Sequence, residues 1–195
     1  GVYGQAFSLD GVDDFIEVAD APGLTPQSLT LSAWVYADAV DRVILSKYNA
    51  NTGELSWVLS VVDGGRVRFG LYNSDSGAQR VVDTENIEIN AGVWHHVVGS
   101  FDGATQGTRV YVDGVEKSVQ FLAGQGDAVS LIDTGSQVRI GSLVNAGGTL
   151  EGFWDGSLEG VRLYNYALSG AEVAAFDQPP VVAPVGPQAL AEGET

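Results

Sequence analysis

Three carboxylates crowd the segment DGVDD at residues 10–14. Asp10, Asp13 and Asp14 share this short loop, and Gly11 allows a backbone carbonyl oxygen to turn towards them. Calcium takes about six to eight hard oxygen ligands, commonly carboxylates mixed with backbone carbonyls. The segment is therefore a candidate calcium site. A plain acidic turn exposed to water fits the same residues and stays open as the alternative.

Aromatic side chains beside polar loops form a second group that could bind a ligand. An exposed ring can stack on the apolar face of a sugar, while nearby amides and carboxylates bond its hydroxyls. Trp154 follows Phe153 in a glycine-flanked loop, whereas Trp34 and Trp94 lie in patterned strands and are expected to pack. For each candidate, ordinary packing remains the alternative. The candidate ligand contacts are Trp154, Tyr72, Trp57, Tyr48, Asn73 and Asp75.

The patterns that would indicate catalysis are weak. His95 and His96 are adjacent, so on a strand they face opposite ways and cannot hold one ion together. No G-x-S-x-G nucleophile motif occurs. The E-x-D-x-E spacing of sandwich-fold glycoside hydrolases is also absent, and Glu151 with Asp155 makes no convincing acid and nucleophile pair. The sequence therefore predicts a protein that is not an enzyme.

Composition excludes several classes of partner. The chain has 195 residues, with 9 Lys+Arg against 25 Asp+Glu, a formal net charge of −16, and neither Cys nor Met. Binding to nucleic acid or an anionic membrane needs clustered basic residues, so both are improbable. Without Cys there are no disulfides or thiolate sites. No apolar run reaches the roughly 18 residues of a membrane span. The missing Met indicates a piece of a longer polypeptide.

The elements that must position these residues are mostly strands. Leu29, Leu31, Ala33 and Val35 alternate with polar or aromatic residues, which is the period of a half-buried strand. The predicted strands are 6–9, 15–18, 28–37, 43–47, 55–62, 66–72, 79–82, 93–101, 108–112, 137–141 and 156–164. The turns Asp63-Gly64-Gly65 and Asp113-Gly114 predict two hairpins, the second with 115–119 as its returning arm. This pattern favours an antiparallel two-sheet β-sandwich or jelly roll.

After the last predicted strand, the sequence predicts one short helix, and the composition then changes. Residues 169–176 are predicted as a helix, with Ser169 as N-cap and Glu172 at the capping-box position. Residues 178–195 contain four prolines and no basic residue, so we expect a linker after a domain spanning 1–177. The end of the chain also resembles the first strand of a bacterial Ig-like or cadherin-like repeat.

Three stretches together resemble one family. They are FSLDGVDDFIEV at 7–18, VWHHVVGSFD at 93–102 followed by RVYVDGVE from Arg109, and GSLEGVRLYNYALS at 156–169. Their order and spacing are similar to the laminin-G-like, concanavalin A-like jelly-roll domains of bacterial surface and secreted proteins. The resemblance covers residues 1–177. It implies two antiparallel sheets, one convex and one concave, with the first and last strands as neighbours in one of them.

The resemblance also implies a structural calcium near the junction of these terminal strands. The later ligand position of the family, usually Asp, corresponds to Glu159 here, and Glu reaches one methylene further. The implied ligand set is therefore Asp10, Gly11, Asp13, Asp14 and Glu159.

Domains of this family have several functions. The first expectation is a non-catalytic binding module for neutral glycans, because an acidic chain repels acidic polysaccharides. The alternative is an adhesion or spacer domain that makes protein contacts in a repetitive surface protein. Both place the domain outside the cell or at its surface, as a monomeric module within a larger chain.

Overall fold

A computed structural model describes residues 1–2 and 4–176. The described strands and helix are, in chain order, β1 (Phe7–Asp10), β2 (Ile16–Val18), β3 (Leu29–Ala39), β4 (Val43–Asn49), β5 (Glu54–Val62), β6 (Arg66–Asn73), β7 (Ala78–Thr84), β8 (Trp94–Asp102), β9 (Gly107–Val112), β10 (Val115–Lys117), β11 (Val119–Ala123), β12 (Val138–Ile140), β13 (Leu143–Val144), β14 (Leu150–Glu151), β15 (Asp155–Tyr164) and α1 (Gly170–Phe176). The predicted linker at 178–195 lies outside the described residues.

The strands form the expected two-sheet sandwich. Sheet A has six strands in the order β1-β15-β3-β8-β9-β10. Sheet B follows the order β11-β7-β6-β5-β4-β12-β2, with the short pair β13 and β14 attached beside β4. The first and last strands are neighbours, as the family resemblance implies, and Asp10 lies opposite Asp155. The all-β fold class is confirmed.

Alternation along the strands builds the core between the sheets. On β3, Leu29, Leu31, Ala33 and Val35 are fully buried, as their spacing predicts. Trp57 and Phe69 of sheet B meet this face and belong to the same cluster. The alternate residues of these strands have their side chains on the outer faces of the two sheets, turned away from the core.

The two predicted hairpins are present, and the turn residues explain why. Asp63 and Asp113 have φ values of 49° and 53°, and each is followed by a glycine with positive φ. After the second turn, residues 115–119 do not form the single returning strand that was predicted. They belong to two strands, β10 and β11. β10 pairs with β9 in sheet A, whereas β11 pairs with β7 in sheet B, so the chain crosses between sheets at Ser118.

Helix α1 starts at the predicted cap. Ser169 Oγ accepts from the Glu172 backbone N–H at 3.4 Å, and Glu172 Oε2 accepts from the Ser169 backbone N–H at 2.8 Å. These reciprocal bonds are a capping box. Val173 packs with Val98 and Tyr111 on the outer face of sheet A, so α1 covers one part of that face. Within the described residues, no helix is long and apolar enough to cross a membrane.

The long segment between β11 and β12 is held by buried side chains rather than by strand pairing. The fully buried Lys47 Nζ donates to the backbone oxygens of Thr134 and Ser136 at 2.6 and 2.7 Å, and to Asp20 Oδ1 at 2.6 Å. Asn73 Nδ2 donates to Ser130 O at 2.6 Å. Lys47 and Asn73 thereby fasten this segment to sheet B near its hairpin end.

Candidate functional site

The acidic loop between β1 and β2 brings three carboxylates together. Asp10, Asp13 and Asp14 are exposed, and one oxygen of each lies within 4.8 Å of the others. Asp10 Oδ1 accepts from the Val12 backbone N–H at 2.9 Å. That bond, with further backbone donors in the loop, lowers the pKa of Asp10. The carboxylates therefore converge, and Asp10 is held in its charged form.

This geometry fits the donor set of a calcium site. Calcium–oxygen distances are about 2.3–2.6 Å, so ligands on opposite sides of the ion lie about 5 Å apart, close to the separation observed. Gly11 has a φ of 74°, and a Cβ there would lie 2.7 Å from Asp155 Cβ. Asp155 is thus a fourth carboxylate beside the loop. Sequence reasoning missed it, although pairing of the terminal strands would have placed it there.

Glu159 does not belong to this group, which corrects the implied ligand set. It lies four residues beyond Asp155 on β15, about 13 Å along the strand at the usual rise of about 3.3 Å per residue. Glu159 is only 8% exposed and accepts a hydrogen bond from the Val2 backbone N–H. Its carboxylate therefore fixes the start of the chain on the outer face of sheet A.

Two of the predicted sugar contacts are core residues, so these predictions are wrong. Trp57 is fully buried, and its Nε1 donates to Leu24 O at 2.9 Å. Trp154 is also fully buried and shares the core cluster with Leu9. Neither ring can present a face to a ligand. For Trp57 the signal was available, since it alternates with Leu59 and Val61 on one face of β5.

Tyr48 and Tyr72, in contrast, meet on the outer face of sheet B. Their ring centroids are 5.3 Å apart and the ring planes are inclined by 69°, an edge-to-face contact. Burial raises the pKa of Tyr72 to about 12 and, together with the charge of Glu151, raises the pKa of Tyr48. Both hydroxyls are therefore protonated near neutral pH and can donate hydrogen bonds.

A cleft of about 240 Å³ lies beside Tyr72, between the β4–β5 hairpin and the β6–β7 hairpin. Gly53 and Gly77 are at the two hairpin tips, with positive φ and open space where a side chain would begin. No charged side chain lines the cleft. Its lining residues are Gly53, Leu55, Tyr72, Asn73, Ser74, Gly77, Ala78 and Gln79.

The other two predicted contacts have different positions. Asn73 lines the cleft, but its Nδ2 bonds Ser130 O and its Oδ1 accepts from the Ser76 backbone N–H at 3.0 Å. It therefore shapes the wall. Asp75 is exposed at the hairpin tip and does not line the cleft. Sequence reasoning omitted Gln79, which lies opposite Tyr72 and makes no side-chain hydrogen bond to the described part of the chain.

An ion pair adjoins the two tyrosines on the same face. Arg68 Nε and Nη2 each donate to one oxygen of Asp83 at 2.8 Å. The Asp83 side chain is 1% exposed and that of Arg68 is 31% exposed. The hydrogen bond to Asp83 raises the pKa of Arg68. Sequence reasoning missed this pair, which joins neighbouring strands in register.

The outer face of sheet A carries the remaining aromatic residues. Trp34 stacks on His96 with ring centroids 5.0 Å apart, and the Tyr36 and Trp94 rings are 5.6 Å apart. Trp34 and Trp94 are half-buried, less enclosed than their strand pattern suggests. Burial lowers the pKa of His96 to about 4, so its ring is neutral at pH 7.

The two histidines have separate partners. His96 Nε2 lies 2.8 Å from Ser32 Oγ, while His95 Nδ1 lies 2.8 Å from Asp113 Oδ2. His95 Nε2 also accepts from the Asn90 backbone N–H at 3.3 Å. These contacts tie strand β8 to neighbouring segments, and the two rings share no partner among them.

Several solved structures share this fold. The CBM40 of Ruminococcus gnavus IT-sialidase bound to α2,3-sialyllactose is 16% identical, with a TM-score of 0.64 over 89% of this chain and 98% of that one. Domain 4 of the extracellular arabinanase AbnA of Geobacillus stearothermophilus, in complex with arabinotriose, is 22% identical, with a TM-score of 0.63 over 91% and 79%.

A heptameric SAP-like pentraxin from Limulus polyphemus is 18% identical, with a TM-score of 0.63 over 91% of this chain and 83% of that one. At these identities the likeness concerns the fold. No curated protein matches the chain. The model of the concanavalin A-like lectin/glucanases superfamily (Laminin_G_3) matches residues 10–174. The chain therefore belongs to the concanavalin A-like lectin/glucanases superfamily.

Proposed function

We propose that this chain is a non-catalytic carbohydrate-binding module and that the cleft between the β4–β5 and β6–β7 hairpins holds a sugar unit. The observation that carries the proposal is the lining of the cleft. The Tyr72 ring and the Leu55 side chain give it an apolar side, and Ser74 and Gln79 give it uncharged polar groups. A sugar ring has the same division between apolar faces and hydroxyl edges.

The charge distribution supports a neutral sugar as the ligand. No charged side chain lines the cleft, and the chain as a whole carries a formal charge of −16. A carboxylate-bearing sugar would enter without a cationic partner and against this field. The Ruminococcus gnavus module has the same fold and is described with sialyllactose. The ligand class would then differ between the two, although the scaffold is shared.

The named neighbours support a role outside the cell. One is a domain of an extracellular arabinanase, and another is a module of a sialidase. We propose that this chain also lies outside the cell and holds a larger protein at its glycan target.

Isothermal titration with neutral and sialylated oligosaccharides tests the proposal. We expect a neutral glycan to bind and Tyr72→Ala to weaken it at least about tenfold, because the main apolar contact is removed. Tyr166→Ala is the matched control, since Tyr166 is 45% exposed and packs edge-on against Tyr164 on the other sheet. Equal loss in both variants, or selective binding of sialylated glycans, would contradict the proposal.

We further propose a structural calcium ion in the β1–β2 loop. Asp10, Asp13 and Asp14 would hold it, with Asp155 beside them. Such an ion would offset the repulsion between these carboxylates and fix the loop against β15. The support is the convergence of their oxygens within 4.8 Å.

A further inference from the structure

Three flat side chains cover the outer face of sheet B next to the cleft. Tyr72 and Arg68 are four residues apart on β6 and so share one face. Tyr48 on β4 contacts the ring of Tyr72. We call Tyr48, Tyr72 and Arg68 together the platform. It is continuous with the cleft, because Tyr72 belongs to both.

Gly70 explains why Tyr72 lies along the sheet. A Cβ at residue 70 would be 2.8 Å from the Tyr72 hydroxyl oxygen and 2.9 Å from Val58 Cγ1. Residue 70 is not among those with positive φ, so the glycine is needed for space rather than for backbone conformation. A glycine within a strand often marks such a close approach. The Tyr72 ring therefore lies over Gly70 along the outer face of the sheet, and Tyr72 is half-buried there.

Asp83 fixes the third member of the platform. Its buried carboxylate holds the Arg68 guanidinium by two hydrogen bonds of 2.8 Å, which keeps the planar group in one orientation. Nearly a third of the Arg68 side chain, 31%, stays exposed. Nη1 donates no hydrogen bond to the described part of the chain, so it remains available to a ligand oxygen. The pair is neutral overall and does not by itself select an anion.

We infer that the glycan site extends from the cleft onto the platform, so that the ligand is a neutral oligosaccharide rather than a single terminal sugar. This inference rests on the proposed function. The Cα atoms of Tyr72 and Arg68 are about 13 Å apart along the strand, at about 3.3 Å per residue, so the surface from the cleft to Arg68 is longer than one sugar ring. One unit occupies the cleft. The next units stack on the Tyr48 and Tyr72 rings and accept from Arg68 Nη1.

Calorimetry with xylo-, cello- and arabino-oligosaccharides of increasing length tests the inference on the whole chain. Affinity for the preferred series should rise at least about tenfold from monosaccharide to trisaccharide. Tyr48→Ala and Arg68→Ala should each lower the ratio of trisaccharide to monosaccharide affinity towards one. Arg109→Ala is the matched control, because Arg109 is a half-exposed arginine paired with Glu116 on sheet A. Its ratio should equal that of the wild type.

The outcomes separate this inference from the function on which it rests. Equal affinity for monosaccharide and trisaccharide overturns the platform and leaves the cleft as a single-sugar site. Binding of no neutral glycan overturns both. A ratio that survives both substitutions also overturns the platform, because other residues then carry the length dependence. Arg68→Ala leaves Asp83 buried without its partner, so Arg68→Gln/Asp83→Asn is measured as well and should give the same fall in ratio.

Discussion

Protonation of His96 couples the pH of the solution to the stability of the sandwich. Burial lowers the pKa of this histidine to about 4, whereas the unfolded chain titrates near its ordinary value of 6.5. Between these values the unfolded state binds more protons than the native state, so stability rises with pH. The contribution is fully present above about pH 6.5 and is lost as the pH falls towards 4.

We predict that the free energy of unfolding drops by about 2 kcal/mol between pH 7 and pH 5 through His96, on top of the other titrations. In His96→Gln that part of the pH dependence should disappear, because an amide cannot titrate in this range. Urea denaturation of both proteins at the two pH values gives the difference. Parallel pH profiles for the two proteins would show that His96 is not the titrating group.

The burial of Trp57 could be predicted from the sequence around it, whereas the burial of Trp154 could not. Trp57 could have been assigned to the core from its alternation with Leu59 and Val61, but its polar neighbours favoured the surface. Trp154 had no such pattern. It is buried in the core cluster that also contains Leu9 of β1, which comes from a distant part of the chain.

At the scale of elements, Lys47 is the residue that joins β4 to the irregular segment before β12. Its ammonium group is fully enclosed, with two backbone oxygens and Asp20 as acceptors. The same segment supports Asn73 through Ser130, and Asn73 forms a wall of the cleft. Burial of one lysine thus stabilises a loop that the proposed site depends on.

We predict that Lys47→Met destabilises the protein by about 3–5 kcal/mol, since the buried acceptors lose their donor. Lys117→Met is the control. Lys117 Nζ lies 2.8 Å from Glu88, with partly exposed side chains, and its loss should cost about 1 kcal/mol or less. Urea denaturation curves measure both, and comparable losses would contradict the assigned role of Lys47.

Most elements could be predicted because their signals are local. The segment 28–37 became β3 (Leu29–Ala39), and Asp63 and Asp113 adopt the positive φ that their turns required. The change of sheet at Ser118 could not be predicted, because the residues of 115–119 do not show which neighbour each will pair with.

The site was predicted less completely than the fold, because it is assembled from distant strands. Tyr48 and Tyr72 were chosen from their polar loops, but their contact depends on β5 lying between β4 and β6. The Arg68–Asp83 pair and the cleft depend on the same register. Glu159 was wrongly included among the calcium ligands. Its position in the family motif suggested the role, but it lies four residues along β15 from Asp155, too far from the loop.

At the scale of the whole molecule, the chain has an excess of 16 negative charges, so a bound cation would affect the stability of the fold. An ion that binds only the native state raises the free energy of unfolding by mass action. The β1–β2 loop is the place where the structure concentrates three carboxylates, next to the strand pair that closes sheet A.

We predict that millimolar calcium raises the Tm by several degrees, since about 1 kcal/mol corresponds to about 2–4 °C in a domain of this size. Asp13→Asn should abolish the shift, and Asp75→Asn, at the exposed tip of the β6–β7 hairpin on the other sheet, should keep it. Differential scanning calorimetry with calcium and with EDTA measures the effect. An unchanged Tm in the wild type would exclude a structural calcium.

The pairing of β1 with β15 also determines how the domain would respond to mechanical force. The strands are antiparallel, and Phe7, at the start of β1, lies opposite Leu158 in the first half of β15, which continues past this pair to Tyr164. Tension between the two ends of the domain would therefore act first on the end of the β1–β15 pair where Phe7 lies opposite Leu158. The hydrogen bonds between β1 and β15 would break one after another, starting at the Phe7–Leu158 pair. They would not all bear the force at the same time. The domain would then yield at its terminal strands while the cleft, on the other sheet, stayed intact.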